Sequence, residues 1–245
     1  MLFFLRQSGM AFSDKHIFFD LDRTLWDFDK NSENTLRALY NNYQLQSVIP
    51  TFEAFYKVYK NRNQALWIRY SKGKMTKEAL RYERFRSTFS KFNLTNESLT
   101  KDFGDGYVDL SPKQTQLLPY AKEVLADLQE MGFNLHVITN GFVEVQHVKL
   151  EHTGLKSYVE HIVCSEDIGF SKPNLKIFSH AMQLANATPA TSLMVGDDYH
   201  ADISGAIKAG MHAIWYEPKE IKKSKYEHKI TCLREVPTLA ARLLQ

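Results

Sequence analysis

Five short apolar runs in the chain end abruptly in polar residues: IFF before Asp20, LHVI before Thr139, HIVC before Ser165, LMV before Gly196 and AIW before Tyr216. Runs of this length without clean alternation predict strands covered on both faces, and hence a parallel sheet. Between them lie helical patterns with start and stop signals. Ala121, Val124, Leu125 and Leu128 form one apolar stripe, with Gly132 just past its end. Ile177, Ala181 and Leu184 form a second, for which Pro173 fits the first helical position, and Ile203, Ala206 and Ile207 precede Gly210. Strand and helix in alternation predict right-handed crossovers and a doubly wound α/β core.

Residues 28–115 have another texture, with helical spacing and no convincing strand. Leu36, Leu39, Tyr40 and Tyr43 fit an apolar stripe behind a cap at Asn31 or Ser32, and Phe55, Tyr59, Leu66, Leu80, Phe85 and Phe89 continue the pattern. This block interrupts the α/β alternation after its first strand. The expected organisation is therefore a core made of residues 14–27 and 116–245, an inserted all-helical block at 28–115, and an extension at 1–13.

Composition narrows the class. A formal charge of +3 comes from 31 basic and 28 acidic residues dispersed among one another. That argues against a nucleic-acid partner, which would need the basic residues gathered in a block or on a face. The opening MLFFLRQSGM carries one short apolar cluster broken by Arg6, too little for a signal-peptide core and far from the ~20 residues of a membrane span. A cytoplasmic protein, monomeric or weakly oligomeric and off the membrane, is the default expectation. Cys164 and Cys232 sit in apolar runs with no CxxC between them, so they read as buried free thiols rather than zinc ligands. His147 and His152 read as helix surface.

The chemistry lies where the strands stop. Ligands of an open α/β sheet bind beyond the carboxyl ends of its strands, near a topological switch point. Three such ends are loaded here: Asp20-Leu21-Asp22-Arg23-Thr24, Thr139-Asn140-Gly141 and Gly196-Asp197-Asp198, with Asp202 following, while Lys172-Pro173 opens a helix. Clustered carboxylates repel unless a cation joins them, and an all-oxygen set suits magnesium. A phosphate dianion beside a carboxylate nucleophile is costlier still. Two unit charges 4 Å apart at an effective dielectric of 20 repel by about 4 kcal/mol, and a dianion by twice that. A divalent metal and Lys172 offset the repulsion, and Thr139 with the backbone of Asn140 and Gly141 offers donors to phosphate oxygens. These parts match phosphoryl transfer.

The ordered set DLDRT, TNG, Lys172-Pro173 and GDDYHAD resembles the haloacid dehalogenase-like (HAD) hydrolase superfamily across nearly the whole chain from Lys15. The resemblance implies a Rossmann-like HAD core with a helical cap. It implies that Asp20 attacks phosphorus to form an aspartyl-phosphate, and that Asp22 protonates the leaving oxygen and then activates water. It further implies that Thr139 and Lys172 hold the phosphate. Mg2+ is then bound by Asp20, the Asp22 main-chain carbonyl and Asp197, with Asp198 or Asp202 in support. Arg23 departs from the pattern, standing where many members have glycine.

Within the superfamily, NGFVEVQHVKLEHTGLKSYVEHIVCSEDIGFSKPNLKIF and the WDF after the first motif resemble the bacterial pyrimidine nucleoside-monophosphate 5′-nucleotidases. That implies a nucleotide substrate. Trp26 and Phe28 then either stack on its base, together with Trp67, or pack beneath the helical block. A sugar-phosphate or phosphoglycolate phosphatase and a phosphomutase share the core chemistry. A 2-haloacid dehalogenase has no need of Asp22, and a silent binding module has no need of the full acid set.

Overall fold

The computed structural model describes residues 14–218 and 226–245, so the extension expected at 1–13 lies outside the described residues. Two compact units emerge: one runs to Asp27 and resumes at Leu117, and the other is Phe28–Gln116.

The first unit is built on a parallel sheet. Among the described residues its strands are β1 (His16–Phe19), β2 (Asn134–Thr139), β3 (His161–Cys164), β4 (Ser192–Gly196), β5 (His212–Tyr216) and β6 (Lys229–Ile230), ordered β3-β2-β1-β4-β5-β6. All neighbouring pairs are parallel. The five runs read from sequence are β1 to β5, and the doubly wound α/β class is the one observed. β6 has two residues, too few to leave a pattern. The chain steps outward from β1 to β2 and β3, then returns to β4 on the other side of β1. That reversal is a switch point, and it sets the carboxyl ends of β2, β1 and β4 side by side.

The second unit carries α1 (Phe28–Asn42), α2 (Phe52–Ser71), α3 (Lys77–Phe89) and α4 (Glu97–Leu110). Thr51, Thr76 and Asn96 cap α2, α3 and α4 by accepting from Ala54, Ala79 and Leu99 amides. The core of this unit is aromatic, with Phe55, Tyr59, Phe85, Phe89, Phe103 and Tyr107 buried together. Asn31 and Ser32 do not cap α1, which begins three residues earlier. They are buried within it: Asn31 accepts from the Gln116 amide (3.1 Å) and donates to the Gln116 carbonyl (2.8 Å), and Ser32 pairs with the Tyr107 hydroxyl (2.9 Å). A buried polar side chain with such partners resembles a cap in sequence because the same residue types serve both purposes. In α2, Trp67 lies edge-on to Tyr70 with ring centroids 5.6 Å apart.

The remaining helices belong to the sheet unit: α5 (Ala121–Glu130), α6 (Val143–Thr153), α7 (Ser165–Ile168), α8 (Leu175–Leu184), α9 (Gly205–Lys208) and α10 (Val236–Leu243). α8 starts after Pro173, not at it. Asn174 is its cap, accepting from the Lys176 amide at 3.0 Å, and Lys172-Pro173 lies in the preceding loop as a cis peptide. Ile177, Phe178, Ala181, Met194, Ile203 and Trp215 form the center of the core on one sheet face. Cys164 is buried and Cys232 half-buried, both as free thiols. Burial, then the charges of Asp167 and Glu166, push the Cys164 thiol up to about 12. Among the described residues no helix is long and apolar enough to cross a membrane.

Candidate active site

The loop after β1 places Asp20 at the middle of the sheet, where its amide donates to the Val195 carbonyl (2.9 Å). Two turns of hydrogen bonding, Leu25 and Trp26 amides to the Leu21 carbonyl (3.0 and 2.9 Å), fold the next residues back on themselves. Arg23 sits at the tip with φ of 68°. That is the left-handed region where glycine costs nothing and other residues do, which explains the physical sense of glycine at this position. The Arg23 side chain is exposed.

Lys172 is the hub. Its ammonium, buried to 3% exposure, donates to Asp20 Oδ1, Asp202 Oδ1 and the Ile138 carbonyl, each at 2.7 Å. All three protons are thereby used. Asn140 holds the Lys172 backbone in place, accepting from its amide (2.8 Å) and donating to its carbonyl (3.1 Å). The Asn140 side chain is thus committed to Lys172, while the phosphate donor expected at this residue is its backbone. Burial alone would lower the lysine, but the Asp20 and Asp202 charges outweigh it and raise it.

Asp20, Asp197 and Asp202 offer carboxylate oxygens within 4.8 Å of one another. Burial, the largest cause, lifts Asp20 to about 7 against the opposing pull of Lys172. Asp197 rises to about 8, first by burial and then by the charges of Asp20 and Asp202. Gly196 makes the crowding possible, since a Cβ there would lie 2.3 Å from Asp202 Oδ2. That oxygen accepts from the Asp198 amide (3.0 Å), so Asp202 is fully engaged between Lys172 and the backbone. Asp198 is exposed, and its Oδ1 accepts from the His200 and Ala201 amides (2.8 and 2.9 Å), capping the π-helical turn Tyr199–Ser204. Its carboxylate works as a cap, and Asp202 is the acid that joins the cluster.

Two further residues were not read from the sequence. Lys149 and Gln146, both buried on α6, reach Asp22: Lys149 Nζ lies 2.5 Å from Oδ1 and Gln146 Nε2 2.8 Å from Oδ2. Burial would raise the Asp22 carboxyl, but Lys149 and then the Gln146 hydrogen bond turn the balance and hold it below its ordinary range. Gln146 also donates to Thr139 Oγ1 (2.7 Å), which accepts from the Gly141 amide as well (3.1 Å). The Gly141 amide, expected to face a phosphate, is spent on Thr139, and the Thr139 hydroxyl keeps its own proton to donate. A Cβ on Gly141 would lie 1.7 Å from Gln146 Nε2, so glycine is needed for that reach. Trp26 is fully buried with its ring 4.2 Å from Lys149 Nζ. It serves as a platform for the ammonium and is not a surface open to a base.

Asp20, Asp22, Thr139, Lys172, Asp197 and Asp202 therefore meet at one sheet end. Four carboxylates (Asp20, Asp22, Asp197, Asp202) against two ammoniums (Lys149, Lys172) leave a formal −2. A set of oxygen donors with that residual charge fits a divalent, oxygen-loving cation such as magnesium.

Residues 17–216 match the family model described as haloacid dehalogenase-like hydrolase. The chain is 34% identical over 200 residues to pyrimidine 5′-nucleotidase YjjG of Escherichia coli, covering 81% of this chain and 84% of that protein. Pyrimidine 5′-nucleotidase PynA of Streptococcus pneumoniae is 30% identical over 209 residues, covering 85% and 86%. A crystal structure of the HAD-hydrolase YfnB of Bacillus subtilis, bound to magnesium, superposes with a TM-score of 0.82 at 27% identity, covering 93% of this chain and 98% of that one.

Proposed function

The chain belongs to the haloacid dehalogenase-like hydrolase family, and on that premise we propose that it is a magnesium-assisted phosphomonoesterase acting on pyrimidine nucleoside 5′-monophosphates, with Phe28–Gln116 as its cap. The observation that carries the reading is Asp22, two residues beyond Asp20 and gripped by Lys149 and Gln146. Displacing a halide needs no proton donor at that place, whereas expelling an alkoxide from phosphorus does.

In this reading an Asp20 carboxylate oxygen attacks phosphorus, the P–O bond to the nucleoside breaks, and Asp22 delivers its proton to the departing oxygen. The Asp22 carboxylate then takes a proton from water, whose oxygen attacks the aspartyl-phosphate and releases phosphate and Asp20. Lys149 keeps Asp22 ionised at rest, ready for the second half. An incoming phosphate dianion opposes that charge and favours proton uptake for the first half. The Thr139 hydroxyl proton is the donor for a phosphate oxygen, and Lys172 contributes its charge, donating to the phosphate only by turning a proton from one of its present partners. Asp20, Asp197 and the Asp22 carbonyl would hold Mg2+, which supplies the charge that offsets carboxylate–phosphate repulsion.

Similarity to two pyrimidine 5′-nucleotidases, at 34% and 30% identity over 81% and 85% of the chain, supports the substrate class. A phosphate-release panel of nucleoside monophosphates and sugar phosphates, with and without EDTA, tests it. We expect UMP, dUMP or dTMP to lead the panel, and EDTA to abolish release. Equal rates on sugar phosphates would refute the substrate, and full activity in EDTA would refute the metal.

A further inference from the structure

Three histidines far apart in sequence stand in a row across the sheet. His16 opens β1, His136 lies opposite Phe18 in β2, and His161 opens β3 opposite His136. Paired positions on neighbouring parallel strands share a face, as do positions two apart. The rings follow that register: His136 and His161 centroids are 5.3 Å apart at 12°, and His16 and His136 are 5.3 Å apart at 23°.

His136 is the anomaly. It is 1% exposed; its Nε2 lies 3.1 Å from His16 Nδ1, and its Nδ1 is buried without a hydrogen-bond partner. Such an atom needs a physical reason. One ligand atom each from His136, His161 and Glu160 falls within 4.8 Å of the others. We propose that His136, His161 and Glu160 form a second metal site, built for a transition dication such as zinc and separate from the carboxylate cluster that follows β1.

Two imidazoles and one carboxylate make the donor set that zinc and its neighbours favour and that magnesium does not. His16 settles which nitrogen faces the ion. With the His136 Nε2 proton given to His16 Nδ1, which is the tautomer the proposed site requires, the Nδ1 lone pair of His136 is left for the metal. A hydrogen-bond acceptor that fixes a ligating histidine's tautomer is a usual feature of metal sites, and here an imidazole would fill that place. Glu160 is exposed and His161 half-buried, so an ion enters from solvent and water completes its coordination.

The test is a Co2+ titration of the untagged, EDTA-stripped full-length protein in excess Mg2+. The wild type should bind one equivalent with the intense visible absorption of a low-coordinate nitrogen–oxygen site. Asp197→Asn should keep that spectrum. Glu160→Ala combined with His161→Ala, changes confined to exposed and half-buried positions, should lose it and bind Co2+ about tenfold or more weakly. Absence of Mg2+-resistant Co2+ binding in the wild type, or equal binding by the double variant, overturns the site.

Discussion

Asp197→Asn should stabilise the metal-free protein at pH 8 while abolishing turnover. Asp197 is lifted to about 8 and Asp20 to about 7, in both cases chiefly by burial. These values lie above the ordinary carboxyl value of about 4, so the folded state holds the protons more tightly than the unfolded chain does. Stability from this source is complete below pH 4 and drains away as the pH climbs to 8. A carboxyl moved from about 4 to about 8 forfeits ~5 kcal/mol over that interval. Solvent at the half-buried Asp197 screens part of it, leaving roughly 2–3 kcal/mol for the single substitution. For a chain of this size each kcal/mol moves Tm by about 2–4 °C, so the variant should melt roughly 5–10 °C above wild type in EDTA at pH 8. The assay is thermal unfolding from pH 5 to pH 8 in EDTA and again in Mg2+. Wild-type Tm should fall with pH in EDTA and recover in Mg2+, while the variant, which keeps the burial of Asp20, falls less steeply and recovers less. A variant that melts below wild type at pH 8 in EDTA, or a wild type indifferent to Mg2+, would refute the electrostatic reasoning.

Lys149→Met removes one of the two groups that hold Asp22, and should lower kcat by about 10²–10⁴-fold with little change in KM. Because Lys149 depresses the Asp22 carboxyl, its loss should also move to higher pH the acidic limb of single-turnover phosphoenzyme hydrolysis, the half-reaction in which Asp22 is the base; an unmoved limb would show that Asp22 is not the group observed. Arg23→Gly relieves a left-handed residue at about 1–2 kcal/mol and gives back about 0.5–1 kcal/mol in unfolded-chain entropy. Losing the Arg23 charge near Asp22 and Asp197 offsets part of that gain, so chemical denaturation should find a variant within about 1 kcal/mol of wild type; a larger change in either direction would refute this balance of backbone strain and charge.

The fold was legible because β1 to β5 are each a short apolar run with a polar stop, and the stops of β1, β2 and β4 are chemistry-bearing residues. Asp20, Thr139, Lys172, Asp197 and Asp202 could be named together because the strand-end rule and the family motifs point to the same positions. Lys149 and Gln146 could not. They lie three apart on α6, whose inward face is partly polar, so a search for an apolar stripe passes over them. The backbone of Asn140 and Gly141 suits a phosphate by its place at a strand end, yet the Gly141 amide donates to Thr139, and the Asn140 side chain has the separate task of holding Lys172. Asp198 and Asp202 look equivalent in GDDYHAD, and only the π-helical turn turns one outward as a cap and the other inward. The histidine row is invisible along the chain, because strand register alone aligns positions 16, 136 and 161.

The central claim is that Asp20 carries the phosphoryl group, with Asp22 serving both halves of the reaction. The most direct measurement is acid-quenched single turnover of Asp22→Asn on the best nucleotide of the panel, followed by peptide mass spectrometry. The phosphoryl adduct should be found on Asp20 and should persist longer than in wild type, while Asp20→Asn forms none. Phosphate released with no adduct on Asp20 in either protein would contradict the account.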